Sequence, residues 1–284
     1  MSEKAPVGMK KEDWAGDRGD AWLANLPSFE GMIWPLSAAI VEAAAVKPGE
    51  AVLDVGCGGG ATTMALAKSA APTGTATGLD ISQALAGETL RRCSTAGVSN
   101  VSVIVADATK APLQSAAYDL VFSSFGVMFF DDPVAAFKNL RRALKPGGRL
   151  AFACWMSPKE NPWNSLVTGV LAKHIVLPKP DPRAPGPFAF ADPDYPREIL
   201  NSAGFSNIAF NEWRGRIFVA GKGSTPSSAA DFVLKAMSIG DLVRDLPESS
   251  QAAIRRDIEK VFSDFATKGG VEVDTASWFV HAGA

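Results

Sequence analysis

Short apolar runs alternate with amphipathic stretches along the first half of the chain. Five runs of five to seven residues have the length and composition of strands that are buried on both faces. They lie at residues 51–55, 75–79, 101–105, 118–122 and 149–155. The stretch before the fifth run carries Phe137, Leu140 and Leu144 at helical spacing. Strands that alternate with helices predict a parallel sheet with helices on both faces.

Weaker elements are predicted outside this region. They are a helix at 37–46, a helix at about 164–176, strands at 208–213, 216–219 and 277–281, and two helices within 225–267. A proline-rich segment runs from Pro178 to Pro187. Residues 1–35 are predicted to be polar and irregular, although they carry three tryptophans.

Composition and charge narrow the class of protein. The 28 Lys and Arg residues and 30 Asp and Glu residues give a net charge of −2 without a basic stripe, so no nucleic-acid partner is expected. No apolar run approaches the roughly 18 residues that span a bilayer, and the N-terminus lacks the apolar segment of a signal peptide. The three cysteines match neither a disulfide framework nor a zinc site. We therefore expect a cytoplasmic protein without a metal, as a monomer or homodimer.

A glycine-rich turn follows the first predicted strand. Glycines at 56, 58, 59 and 60 allow a sharp turn and a close approach of backbone to a ligand. Asp54 lies on the strand two residues earlier, where its charge would repel a pyrophosphate but suits a ligand with an ammonium group. Asp80 ends the second strand, where a carboxylate can accept hydrogen bonds from both ribose hydroxyls. A nicotinamide dinucleotide is therefore the weaker alternative for this turn.

At these residues the chain resembles the class I S-adenosylmethionine-dependent methyltransferases. The resemblance rests on segments 52–60, 78–80, 106–108, 118–123 and 144–150, in the order and spacing of that family. It is most similar to the small-molecule branch that includes the quinone-biosynthesis C-methyltransferases. The resemblance implies a Rossmann-like seven-stranded mixed sheet whose last strand is antiparallel, with helices on both faces and a helical cap. It also implies S-adenosylmethionine as the cofactor and S-adenosylhomocysteine as the product.

The resemblance divides the chain into segments. They are an N-terminal arm or lid at 1–36, a cofactor-binding core at 37–155, a cap insertion at 156–190, a core continuation at 191–221, a second, helical cap insertion at 222–268 and a closing strand at 269–284. The cap segments lie where the family varies, so the core motifs do not identify the methyl acceptor.

The resemblance assigns cofactor contacts residue by residue. The set is Asp54, Gly56, Cys57, Gly58, Asp80, Ile81, Asp107, Ala108, Ser123, Ser124 and Phe125. Asp54 is expected to face the cofactor ammonium directly or through water, Asp80 the ribose and Asp107 the adenine amine. Asp107 also suits a plain turn residue, and Cys57 is read as a small loop residue rather than a nucleophile.

The acceptor is expected to be a small, apolar or aromatic molecule. Its predicted pocket residues are Trp14, Trp22, Met128, Phe129, Trp155 and Trp163, because aromatic faces favour a nearby sulfonium and an apolar acceptor. His174 is a candidate general base, with surface packing as its alternative reading. Ser123–Gly126 replaces the Asn/Asp-Pro-Pro-Tyr loop of enzymes that methylate exocyclic base amines.

Oxygen or carbon is the favoured methyl acceptor. The alternatives are an N-methyltransferase of a small amine, an enzyme that methylates protein or RNA, and a regulatory module that binds S-adenosylmethionine without turnover.

Overall fold

Eight strands form the sheet of the computed structural model, which describes residues 11–179 and 181–284. The strands are β1 Ala51–Val55, β2 Thr75–Asp80, β3 Val101–Val105, β4 Tyr118–Ser124, β5 Leu144–Trp155, β6 Ser206–Phe218, β7 Ala266–Thr267 and β8 Gly270–Gly283. Their order in the sheet is β3-β2-β1-β4-β5-β8-β6, and the two-residue β7 pairs beside it with β8. β8 is antiparallel to both β5 and β6, and the pairs among β1–β5 are parallel. The predicted mixed sheet with an antiparallel last strand is confirmed.

Ten α-helices surround the sheet in the described part of the chain. They are α1 Lys11–Ala15, α2 Asp17–Ala24, α3 Leu26–Ala43, α4 Ala61–Ala70, α5 Gln83–Thr95, α6 Pro133–Ala143, α7 Pro162–Leu171, α8 Asp194–Ser202, α9 Pro226–Lys235 and α10 Glu248–Ser263. α3 contacts α4 and α4 contacts α5, while α6 contacts α8. Right-handed crossovers put α4 and α5 on one face and α6 on the other, because strand order reverses between β1 and β4. Such a reversal opens a crevice at the carboxyl ends of the strands.

The N-terminal segment departs from its predicted irregular structure. Over the described residues it forms α1, α2 and the long α3, so that prediction is wrong from residue 11 onward. Residues 1–10 of the predicted arm lie outside the described residues. The predicted boundary at residue 36 falls inside α3.

Helix α3 continues through a proline because of what it buries. Leu26, Phe29, Met32, Leu36 and Ile40 lie at helical spacing and are all buried. Pro35 itself is exposed on the opposite side. Burial of five large apolar side chains stabilises the helix by more than the roughly 3 kcal/mol that an interior proline costs. The helix predicted at 37–46 is therefore the C-terminal part of a longer helix that begins at Leu26.

Two strands are longer than the apolar runs predicted from the sequence. The runs predicted at 208–213 and 216–219 are one strand, β6. The strand β8 begins at Gly270, before the apolar run at 277–281 and inside the predicted closing segment 269–284. β6 and β8 pair along nearly their whole length. Arg214 and Gly215 continue the ladder between the two runs, because pairing with β8 supplies the hydrogen bonds that an apolar pattern did not indicate.

Helices from the two segments predicted as cap insertions pack against each other. α10 packs against both α9 and α7, and a short 3-10 helix at Ser238–Leu242 follows α9. α9 begins with a capping box in which Thr225 and Ser228 satisfy each other's backbone N–H groups. Within the described residues, no helix is both long and apolar enough to cross a membrane.

Candidate active site

A cavity lies at the carboxyl ends of the central strands. It has a volume of about 450 Å³, within the usual range for small-molecule sites. Its walls include the turn after β1, Ile81 after β2, residues 106–110 after β3 and Phe125 after β4. Trp14, Trp22 and Trp34 line it from α1, α2 and α3. The parallel strands thus direct four loops to one crevice, and the N-terminal helices cover it.

The turns after β1 and β4 require glycine for two different reasons. Gly56, Gly58 and Gly60 have φ angles of 69°, 54° and 84°, in the left-handed region that other residues rarely adopt. Gly126 has an ordinary φ, but a Cβ there would lie 2.7 Å from the Val55 carbonyl oxygen and 2.9 Å from the Gly56 Cα. The turns after β1 and β4 therefore touch backbone to backbone.

Side chains from neighbouring elements hold this turn in place. The Thr89 hydroxyl donates to the Gly58 carbonyl at 2.8 Å, and Arg92 Nη1 donates to the Gly59 carbonyl at 2.7 Å. Arg92 also makes a two-pronged ion pair with Glu30 of α3, at 2.6 and 2.9 Å. The turn is thus fixed before any ligand binds.

Asp80 lies in the cavity wall, as the sequence indicated. Its Oδ2 accepts from the Gly58 N–H and its Oδ1 from the Ser82 N–H, each at 2.9 Å. Burial raises the pKa of this carboxyl group, although the backbone donors oppose that shift. A carboxylate that already bridges two loops can also accept further hydrogen bonds from the cavity.

Asp54 lies behind the wall rather than in it. The side chain is fully buried, and its Oδ2 accepts from the hydroxyls of Thr62 and Thr63 at 2.7 and 2.6 Å. Its Oδ1 is buried without a hydrogen-bond partner among the described residues. Burial is the main reason why its pKa rises to about 6. Thr62 lines the cavity and Asp54 does not, so a direct contact is not supported and contact through water or Thr62 stays a prediction.

Cys57 lines the cavity as a small buried residue. Burial raises the pKa of its thiol well above the usual value, with Asp80 and Asp54 adding to the effect. The thiol is therefore protonated and is a poor nucleophile. A Cβ on Gly78 of β2 would lie 2.8 Å from its sulfur, so the side chain is packed tightly against the neighbouring strand.

The loops after β2 and β3 place the other predicted cofactor contacts. Ile81, Asp107 and Ala108 all line the large cavity, together with Thr109 and Lys110. The Asp107 Oδ1 accepts from the Thr109 N–H at 2.9 Å, which shapes the turn. The turn role and the ligand role of Asp107 are thus compatible, since a carboxylate has several acceptor sites.

The three predicted cofactor contacts at the end of β4 differ in whether they line the cavity. Ser124 lines the cavity, and its hydroxyl lies 2.8 Å from that of Ser37. Phe125 also lines it and has a φ of 63°, a strained conformation for a bulky residue. Ser123 is fully buried, lines neither cavity and donates to the Val55 carbonyl at 2.8 Å. The structure gives no support to Ser123 as a cofactor contact, because its hydroxyl joins β4 to β1, and the assignment stays a prediction.

A second, smaller cavity of about 90 Å³ adjoins the first and shares five lining residues with it. The shared residues are Trp14, Trp22, Ile33, Phe125 and Phe129. All six predicted pocket residues line this second cavity, namely Trp14, Trp22, Met128, Phe129, Trp155 and Trp163. Their rings contact one another, with Phe125 stacked on Trp155 at 4.3 Å and Trp155 at 5.1 Å from Trp163. The wall of this smaller cavity is therefore mostly aromatic and aliphatic.

His174 lies outside both cavities. Its Nε2 is 2.7 Å from Asp257 Oδ2 on α10, in an ion pair near the surface of the cap. Neither residue lines the large or the small cavity. This placement gives no support to His174 as a general base, because the side chain lines neither cavity. α7 ends at Leu171, so the helix that was expected to carry His174 toward the site stops before it.

Several lining residues were not predicted from the sequence. Glu30, Ile33 and Ser37 come from α3, whose extent was underestimated. Arg18 lines the smaller cavity from α2, and Met237 lines it from the loop after α9. The apolar spacing of α3 could have revealed the first group, whereas no local signal identifies Arg18. Among the described residues, no group of three or more metal-ligating side chains is placed to hold an ion.

Comparisons with known proteins give two results on the sequence. Residues 52–148 match a family model described as a methyltransferase domain. A demethylmenaquinone methyltransferase from Staphylococcus aureus is 35% identical over 127 residues, which cover 44% of this chain and 51% of the relative. The chain thus spans about half the length of the curated relatives that it matches.

Solved structures extend the likeness in fold to nearly the whole chain. A phosphoethanolamine N-methyltransferase 2 from Haemonchus contortus, in complex with S-adenosyl-L-methionine, has a TM-score of 0.57 at 16% identity, over 97% of this chain and 60% of that one. A SAM-dependent methyltransferase from Aquifex aeolicus has a TM-score of 0.51 at 22% identity, over 68% and 90%. The cyclase SpnF has a TM-score of 0.58 at 16% identity, over 98% of both chains.

Proposed function

We propose, from the match of residues 52–148 to a methyltransferase domain, that the protein transfers a methyl group from S-adenosylmethionine to a small organic molecule. The predicted resemblance to that class is confirmed. The single observation that carries the proposal is the cavity at the reversal of strand order, in which the glycine-rich turn and Asp80 face the same space.

The residues present fit this cofactor. Asp80 offers acceptor oxygens for a ribose, and Ile81 offers an apolar surface for an adenine. The buried Asp54 Oδ1 has no hydrogen-bond partner among the described residues, and a water or ligand donor reached past Thr62 would supply one. The aromatic side chains of Trp14, Trp22 and Phe125 provide faces that favour a positive charge. When bound, S-adenosylmethionine supplies an electrophilic methyl group on a positively charged sulfur.

The chain itself aligns the reactants and excludes water. Trp22 stacks on Phe29 at 3.8 Å, and Trp14 lies edge-on to Phe129 at 5.0 Å, so α1 and α2 close the space above the cavity. Alignment and exclusion of water are the main contributions that an in-line displacement requires from a protein.

An acceptor that attacks through oxygen or carbon fits the smaller cavity best. Among the described residues, no histidine, carboxylate, tyrosine or cysteine lines it. An amine that arrives protonated needs a base to remove its proton, whereas an ionised phenol or an enolate attacks without one. N-methylation of a small amine therefore stays the alternative, and the Haemonchus contortus protein shows that a similar fold is found in such an enzyme.

A regulatory module that binds S-adenosylmethionine without turnover is the second alternative. The cyclase SpnF, whose fold is similar to that of this chain, is named for a different reaction. A protein with this fold therefore need not transfer a methyl group. Fold alone therefore does not establish methyl transfer.

Two measurements, made one after the other, test the proposed methyl transfer. Calorimetric titration of the whole chain is expected to show binding of S-adenosylhomocysteine and none of NAD. Incubation of the protein with a metabolite extract and S-adenosylmethionine labelled in its methyl group is then expected to label one compound, which mass spectrometry would identify. Binding of NAD instead would favour an oxidoreductase. Binding of S-adenosylhomocysteine without any labelled compound, over extracts of varied source, would favour the regulatory module.

A further inference from the structure

The smaller cavity carries one charge in otherwise apolar surroundings. Arg18 of α2 lines it together with aromatic, methionine and aliphatic side chains. Asn164 and Ser238 are the other polar side chains in its wall, apart from the indole nitrogens. Among the described residues, no carboxylate lines this cavity. A cationic side chain in an otherwise apolar wall favours an anionic ligand where its own ion pairing leaves positive charge over.

The ion pairing of Arg18 leaves positive charge at this wall. Arg18 Nη2 donates to Oδ2 of Asp241, in the 3-10 helix of the cap. Arg244 Nη2 donates to the other oxygen of the same carboxylate. Two arginines thus share one aspartate, and the group of three carries a net charge of +1. The side chain of Arg18 is 16% exposed and that of Arg244 is 70% exposed, so the unbalanced charge is least hydrated at Arg18.

A buried indole nitrogen adds a second donor nearby. Trp14 Nε1 is buried and has no hydrogen-bond partner among the described residues. Trp14 lines both cavities, so it stands where they join. A buried donor without an acceptor costs free energy, and a ligand oxygen in this space would offset that cost.

We propose that Arg18 selects the methyl acceptor. The substrate carries a negatively charged oxygen that binds the Arg18 guanidinium, while its flat apolar body lies against Met128, Trp155 and Trp163. This inference rests on the proposed methyltransferase function and narrows it to acceptors with an ionised oxygen. Arg18 is a specificity-determining residue here, and the reacting atom lies elsewhere on the acceptor.

One matched pair of probe molecules distinguishes the effect of ligand charge from the effect of ligand shape. Cinnamate and cinnamamide have the same flat ring and nearly the same outline, but only cinnamate is ionised at neutral pH. Their affinities for the whole chain, saturated with S-adenosylhomocysteine, are measured by calorimetry or by quenching of tryptophan fluorescence. Cinnamate is expected to bind about tenfold more tightly than cinnamamide, since a charge-assisted hydrogen bond to a largely buried arginine contributes that much.

Three variants test whether the preference belongs to Arg18. Arg18→Gln is expected to reduce the preference to less than about twofold, and Arg18→Lys to retain part of it. Arg244→Gln is the matched control, because it removes the other partner of Asp241 but does not line the cavity. It is expected to leave the preference intact. In each variant Asp241 keeps one arginine, so the contact between α2 and the cap is not left with an unpaired carboxylate.

Each outcome has a distinct meaning. Failure of S-adenosylhomocysteine to bind would overturn the proposed function and this inference with it. Normal binding of S-adenosylhomocysteine with equal affinity for the two probes, or with no affinity for either, would overturn the role of Arg18 alone. Equal loss of preference in Arg18→Gln and Arg244→Gln would also overturn it, since the ion-paired group would then act only as a structural link between the arm and the cap.

Discussion

The larger cavity is walled by turns that follow four neighbouring strands, whereas the smaller one is walled by side chains from segments between residues 14 and 239. In the first, backbone groups of the glycine-rich turn and the carboxylate of Asp80 are fixed by local hydrogen bonds. In the second, aromatic rings from the arm, the core and the cap pack together. A ligand common to many enzymes suits the first kind of wall, and a variable acceptor suits the second.

Of the proposed substitutions, that of the buried Asp54 is expected to have the largest effect, which is on the free energy of unfolding. Its pKa is raised from 3.8 to about 6, mainly by burial. A carboxyl group whose pKa is raised in the folded state contributes its full stabilisation below about pH 4. This contribution is lost as the pH rises through 6. Asp54→Asn keeps an acceptor for Thr62 and Thr63, and it should raise the free energy of unfolding by about 3 kcal/mol at pH 7.5 but by little at pH 4.

Urea unfolding of the ligand-free chain at both pH values measures this difference. Asp264→Asn, at an exposed carboxylate after α10, is the control and should show no such pH dependence. An equal effect of Asp54→Asn at pH 4 and pH 7.5 would contradict the raised pKa.

Asp80 tests whether the two cavities act independently. Asp80→Ala should weaken S-adenosylhomocysteine binding at least tenfold, since hydrogen bonds to a charged acceptor contribute roughly 1.5–3 kcal/mol. Calorimetry on this variant and on Arg18→Gln should give opposite results. The first loses the cofactor product, and the second keeps it and loses the preference for cinnamate. A loss of both affinities in both variants would mean that the cavities form one coupled site.

Gly126 tests the backbone contact between the turns after β1 and β4. Gly126→Ala introduces a Cβ at 2.7 Å from the Val55 carbonyl, so the turns must separate. The expected loss in free energy of unfolding is about 1–3 kcal/mol, with weaker binding of S-adenosylhomocysteine. Gly87→Ala in α5 is the control, because nothing lies within 4 Å of its added Cβ, and it should be neutral or stabilising by up to about 1 kcal/mol. Equal stability of the two variants would argue against the close approach.

His174 gives the smallest expected effect. His174→Ala removes an ion pair with Asp257 outside both cavities, and such pairs near the surface contribute about 0–1 kcal/mol. Turnover of the labelled acceptor should therefore change less than about twofold, as it should in Asp257→Asn. A loss of a hundredfold or more in His174→Ala alone would restore the histidine as a base.

The sequence by itself determined the alternation of strands and helices in residues 51–155, the position of the glycine-rich turn and the carboxylate at the end of β2. These features are local, because a buried parallel strand needs a continuous apolar run and a left-handed backbone needs glycine. It also indicated the six aromatic and methionine residues that line the smaller cavity, since they lie in the N-terminal arm, after the fourth strand or beside the first insertion.

Only the tertiary structure decided which polar side chains reach the site. Asp54 and Ser123 lie beside the turn in sequence, yet both point into the packed core, where Thr62, Thr63 and the Val55 carbonyl bind them. His174 lies in the cap and faces α10, while Arg18 reaches the cavity from α2. Burial and partners of a polar side chain depend on contacts between distant segments, and no local pattern encodes those contacts.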